Sequence, residues 1–155
     1  MMDKNAINMA DELYIEKLHK ASVVNDQLML NNKAYQLFQQ GRICEFQYEF
    51  NDALDYYYQS IACTVIPMEI YCDLWSNMGF CWLYKKEFKS AEICCCRAIE
   101  LNPKRWEVWK NLGVSLEHQG CLKESLKAFT QAVDLSNGNE IGILNLLRFD
   151  RRHGG

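Results

Sequence analysis

Proline is almost missing from this chain. Two residues in 155 leave most of its length free of the side chain that ends helices. Long apolar runs are missing too: none approaches the ~20 residues that span a bilayer. The N-terminus, MMDKNAINMADELYIEK, is polar and acidic where a secretory signal would be apolar. These absences set the expectation of a soluble, cytoplasmic protein. Basic residues are not in excess either. A formal net charge of -3 gives no general attraction to nucleic acid or to an anionic membrane surface, and neither is expected as a partner.

Chemistry-bearing motifs are equally scarce. The eight cysteines (Cys44, Cys63, Cys72, Cys81, Cys94, Cys95, Cys96 and Cys121) include no C-x-x-C pair, so the usual zinc spacing is absent. Without a secretory signal, disulfides are not expected, and the thiols read as small buried hydrophobes. Cys94, Cys95 and Cys96 point to different sides of a helix, so at least one should be exposed. The three histidines, His19, His118 and His153, stand in no nucleophile motif, and His118 reads as a solvated helix residue. There is no HExxH, no G-x-S-x-G and no phosphate-binding glycine loop. No enzyme, metal or cofactor is expected.

What the chain does have is a period. WSNMGFCWLYKKEF begins at Trp75 and WKNLGVSLEHQGCL at Trp109, 34 residues on, and both read W-x-N-x-G. With Trp75 as position 4 of the unit, Gly79, Ala91, Ala98 and Pro103 fall at positions 8, 20, 27 and 32. The next unit puts Trp109, Leu112, Gly113, Ser125, Phe129 and Ala132 at positions 4, 7, 8, 20, 24 and 27. An earlier unit, with Gly41, Ala53 and Tyr57, lies 38 residues upstream, so about four residues are added near CTVIPMEI. Within a unit, FKSAEICCCRAIEL spaces Phe88, Ala91, Cys95, Ala98 and Ile99 as one face of a helix.

These residues resemble the tetratricopeptide repeat family, whose pattern is W-x2-L-G-x2-Y, then A-x3-F, then A and P. Trp82 and Leu116 stand in place of its Tyr, Cys95 in place of its second aromatic, and Leu37 in place of the first unit's Trp. The resemblance implies an all-α solenoid of helix-turn-helix repeats, each an A helix against a B helix, with capping helices at both ends. The expected division is 1–33 for a polar tail and capping helix, centred on ADELYIEKLHKASVV. Residues 34–137 form three repeats (about 34–71, 72–105 and 106–139), and 140–155 form a capping helix ending in a frayed RRHGG.

The resemblance also implies where a partner would sit, because the A helices of that family line a concave surface. Transferred by position, the expected inner face carries Gln39, Asn77, Asn111 and Asn145 as a polar row. Phe38, Phe46, Phe80, Leu83 and Tyr84 form an apolar strip, rimmed by Arg42, Lys110 and Arg148, and Val114 is expected on the same inner face. Two readings of the row stay open. Its carboxamides can pair with the backbone of a bound peptide, or they can bond to neighbouring A helices. The clamp by which some three-unit arrays hold the acidic C-termini of Hsp70 and Hsp90 is not matched. Phe38, Arg42, Glu107 and Asn111 stand where it needs other residues, and only Asn77 fits.

The expected function is therefore non-enzymatic: an adaptor, scaffold or chaperone that holds an extended or helical segment of another protein in its groove. The alternative is a structural subunit that assembles with copies of itself or into a complex. A looser similarity, in size, acidity and repeat number, is to the class II chaperones of bacterial type III secretion.

Overall fold

The computed structural model describes residues 32–137 and 140–154, and among them seven α-helices and no strand. They are α1 (Lys33–Phe46), α2 (Phe50–Ile61), α3 (Met68–Tyr84), α4 (Phe88–Leu101), α5 (Trp106–His118), α6 (Leu122–Leu135) and α7 (Glu140–His153). Helices α1/α2, α3/α4 and α5/α6 pack as three antiparallel pairs, each stacked on the next, and α7 lies against α5 and α6. This is the expected all-α repeat solenoid. The capping helix expected over ADELYIEKLHKASVV lies outside the described residues.

Each pair is built on a missing β-carbon. The ring of Tyr57 lies against the backbone of Gly41, and that of Phe129 against Gly113; a β-carbon on Gly113 would stand 2.7 Å from Phe129 Cδ1. In the middle pair Gly79 faces the smaller Cys95, whose Sγ would be 3.0 Å from such a β-carbon. Ala53, Ala91 and Ser125, one turn before those partners, are fully buried at the same crossing. Ser125 Oγ also donates to the Gly113 carbonyl at 2.8 Å, which satisfies a hydroxyl that would otherwise be buried unpaired.

The turns obey the period as well. Tyr48, Lys86 and Gly120 all take positive φ, at 62°, 61° and 78°, and each ends an A helix with the same pair of bonds. In the first turn Tyr48 N donates to the Glu45 carbonyl and Glu49 N to that of Cys44. Only the third turn uses glycine, the residue to which this conformation is free. The four added residues upstream of the second unit enter the link at 62–67 and an extra first turn of α3, which runs 17 residues. Asn32 caps α1 by accepting from Tyr35 N at 3.1 Å. Pro103, after α4, offers its carbonyl to Trp109 Nε1 at 2.8 Å. Trp75, the equivalent Trp one unit earlier, has its Nε1 buried without a partner among the described residues.

The C-terminal end is not frayed where RRHGG begins. Arg151–His153 form the last turn of α7, and Glu117 on α5 accepts from Arg152 Nη2 at 3.0 Å and pairs with His153 Nε2 at 2.9 Å. Phe149 is buried against Phe129, centroids 5.7 Å apart. The cause is that the apparent tail carries the charges that fasten the helix to the third pair.

Gly113→Ala should destabilise the chain by about 1–3 kcal/mol, because the added methyl must displace the buried Phe129 ring. Gly79→Ala, which meets a thiol, should cost less. Thermal unfolding followed by circular dichroism checks both, and an unchanged midpoint in Gly113→Ala would refute the close-approach account.

Candidate functional site

The A helices stand side by side, so their shared face forms an inner surface. A cavity of about 620 Å³ opens there between the second and third pairs. Phe80, Leu83 and Tyr84 enter it from α3, and Lys110, Asn111, Val114 and His118 from α5. Lys86 in the turn, Phe88 at the start of α4 and Asn145 on α7 complete the wall.

Stacked rings set the spacing of the walls. Phe50, the first residue of α2, stacks on Tyr84 with centroids 4.9 Å apart, and Phe80 lies 4.7 Å from Tyr84. One unit on, Phe88 opens α4 and stacks on His118 at 4.3 Å, nearly parallel at 5°. Each junction between units therefore carries a ring from the start of one B helix on a ring from the end of the next A helix. Tyr84 stays more than half exposed, at 55%, and presents its outer face to the cavity.

The expected site residues divide into three groups. Phe80, Leu83, Tyr84, Lys110, Asn111, Val114 and Asn145 come together in the cavity. Gln39, Arg42 and Phe46 instead line a separate recess of about 290 Å³ on α1, with Ile43 and Gln47. Arg148 is exposed and lines neither. Phe38 corrects the expected strip: only 4% exposed, it packs on Tyr57 at 6.0 Å, with the Arg42 guanidinium over its ring. Asn77 corrects the expected row. Its Nδ2 donates to Tyr57 Oη at 3.4 Å, across the junction with the first unit. Asn145 keeps a place in the cavity but donates Nδ2 to the Ile141 carbonyl of its own helix at 2.7 Å. Of the row, Asn111 and Asn145 line the cavity, Gln39 lines the recess on α1, and Asn77 bonds to Tyr57 across the junction.

Two lining residues were not anticipated: Lys86 and Phe88 lie outside the A helices. His118, expected as a solvated helix residue, is exposed but stacked on Phe88. The signal for Phe88 was present: Phe50, Phe88 and Leu122 recur with the repeat interval, each two residues after the left-handed turn residue.

Charge is arranged unevenly along the inner face. In the first unit the half-buried Glu45 accepts from Tyr57 Oη at 2.6 Å. Burial pushes its carboxyl up, while the Tyr57 hydrogen bond and Arg42 pull the other way. Burial and the same carboxylate push the Tyr57 phenol up strongly. Lys110, in the cavity, is held below the usual amine range by burial, partly offset by Glu107. Burial also pushes the Cys94 thiol up to about 11 and that of Cys81 to about 12. Cys96 and Cys121 are exposed. No three His, Cys, Asp or Glu side chains come together as a metal-binding group among the described residues, and no described helix is long and apolar enough to cross a membrane.

Comparison with known proteins agrees with the geometry. Residues 106–139 match the tetratricopeptide repeat family model. The first tetratricopeptide domain of Spaghetti (RPAP3), solved with the HSP90 peptide SRMEEVD, superposes with a TM-score of 0.71 at 20% identity, over 79% of this chain and 94% of that one. The second such domain of human RPAP3, in complex with the HSP70 peptide SGPTIEEVD, gives 0.68 at 20% identity, over 76% and 95%. Among curated proteins, the BBSome complex member BBS4 of Bos taurus is 35% identical over 74 residues, 48% of this chain. The match spans 14% of that relative's length.

Glu45→Gln should test the balance at the first junction. Folding raises this carboxyl above its unfolded value, so stability is lost as the pH rises through the carboxylate range and Glu45 becomes charged in the folded state. Glutamine keeps an oxygen for the Tyr57 hydroxyl and removes the charge. The variant should be more stable at pH 7, by less than ~1 kcal/mol because solvent screens this half-exposed group, and lose that advantage near pH 3. Denaturant midpoints across the range check this. A loss of stability at pH 7 would mean that the charged hydrogen bond outweighs the burial cost.

Proposed function

We propose that this array of tetratricopeptide repeats is a protein-interaction module, an adaptor, scaffold or chaperone, whose cavity between α3, α5 and α7 takes a partly apolar segment of a partner protein. The observation that carries the reading is the cavity itself: about 620 Å³, walled by Phe80, Leu83, Tyr84, Phe88 and Val114, with the Asn111 and Asn145 amides among them. An apolar wall with a few placed polar groups suits side-chain recognition, the apolar part supplying affinity and the polar part orientation. Domains that share this fold hold HSP90 and HSP70 peptides, which supports peptide binding as the activity class. Of the residues that clamp chaperone C-termini only Asn77 is present here. Phe38 is buried, Asn77 is bonded to Tyr57, and Glu107 stands where a base is needed. The eight unpaired cysteines fit a cytoplasmic setting, where thiols stay reduced.

The likeness to a BBSome complex member favours a second reading, a structural subunit of a larger assembly. The exposed Ile141, Ile143, Leu144 and Leu147 of α7 are a surface such an assembly could cover.

The two readings predict different losses. In a displayed random-peptide selection on the full chain, enriched peptides should lose at least about tenfold in affinity for a Phe80→Ala/Tyr84→Ala variant, about 1.4 kcal/mol, with helicity retained. Full binding by that variant would sink the groove. Growth of the sedimentation coefficient with concentration would favour assembly instead.

A further inference from the structure

We propose that the cavity selects a segment in which an Asp or Glu side chain stands beside a large apolar one, with the Lys110 ammonium seating the carboxylate; this rests on the groove reading above. The cavity is one-signed. Lys86 and Lys110 line it together with His118, and no carboxylate does. Lys110 is the deeper of the two lysines, half-buried where Lys86 is exposed. No described carboxylate stands at ion-pair distance from it. Glu107, one turn earlier on α5, is the acid whose field reaches it, and Glu107 is exposed and outside the cavity. A partly desolvated ammonium without a counter-charge is costly, and burial indeed lowers its affinity for the proton.

A bound carboxylate would supply the missing partner, in a setting where less water remains to screen the pair. The apolar neighbours of Lys110 in the cavity, Phe80, Leu83 and Val114, require that the acid be flanked by an apolar side chain. Asn111, the next residue on α5, lines the same cavity and can donate to a nearby carbonyl. The anion is a carboxylate rather than a phosphate. No arginine lines the cavity, and a phosphate draws its strongest bonds from the paired donors of a guanidinium, whereas the half-buried ammonium of Lys110, with Lys86 left exposed, matches one unit of charge.

The test starts from the peptides enriched in the displayed selection. The best sequence is synthesised as a C-terminal amide, so that no terminal carboxylate competes, alongside its Glu→Gln or Asp→Asn analogue. Both are labelled with fluorescein and titrated by anisotropy against the full chain, its Lys110→Met variant and the Phe80→Ala/Tyr84→Ala variant. The enriched peptides should share an acid beside an aromatic or branched aliphatic residue. Neutralising that acid should weaken wild-type binding about tenfold and change binding to Lys110→Met less than twofold. Methionine keeps the apolar stem, so this variant should melt no lower than wild type. The seat is overturned if neutralisation costs the same in Lys110→Met, or if enrichment shows no acid, while the Phe80/Tyr84 variant still loses binding; the groove then stands without it. Enrichment of no peptide, or full binding to the Phe80/Tyr84 variant, overturns the groove and this proposal with it.

Discussion

The whole array depends on one kind of contact, a side chain of the B helix pressed onto A-helix backbone where no β-carbon intervenes. Gly41 under Tyr57 and Gly113 under Phe129 set how closely each pair crosses, and that spacing fixes where the next A helix can lie. Interiors packed this tightly leave little slack for an added methylene. The inner surface follows from it: A helices held at a regular offset bring equivalent positions into a row, and the cavity is the gap between two of those rows. Unit two departs most from this rule. Its Gly79 meets a thiol, and its helix α3 is a turn longer than its counterparts, so the cavity lies against the least regular of the three pairs.

A second contact ties one unit to the next. Phe50 on Tyr84 and Phe88 on His118 are the same junction repeated. Offset ring pairs of this kind add about 0.5–1.5 kcal/mol beyond their buried area. Tyr84, Phe88 and His118 of these pairs also line the cavity, so the residues that hold neighbouring units together are in part those that the proposed function would offer to a partner. Mutations there report on both, which is why a charge placed on α5, away from the stacks, separates recognition from architecture more cleanly.

Much of this was legible in the sequence because the period is carried by residues whose role is steric. Trp, Gly and Ala at fixed spacing specify a helix pair whatever surrounds them, although α3 begins at Met68, a turn before the expected second unit. The site was legible only in part. Position within the repeat says which way a residue points on an average A helix, not what stands opposite it. Asn77 points inward but meets Tyr57, which the first unit supplies and the third does not match with a hydroxyl. Phe38 shares its position with Ser76 and Lys110, yet it is apolar enough to fold into the core against Tyr57. Lys86 and Phe88 escaped notice because the expected inner face was drawn from A helices alone, and the frayed tail was misplaced because the pairing of Arg152 and His153 with Glu117 spans 35 residues or more.

That last pairing has a thermodynamic consequence. In a stack where each element touches only its neighbours, an end element has one interface and opens at lower free energy than the body. Helix α7 buries little beyond Phe149 and Gly142 and leaves Ile141, Ile143, Leu144 and Leu147 exposed. Yet α7 carries Asn145 into the cavity. Under the proposed function, occupancy of the cavity and docking of α7 are linked: a ligand touching Asn145 would draw the end helix down, and the charges around Glu117 that hold the end helix also hold the shape of the cavity.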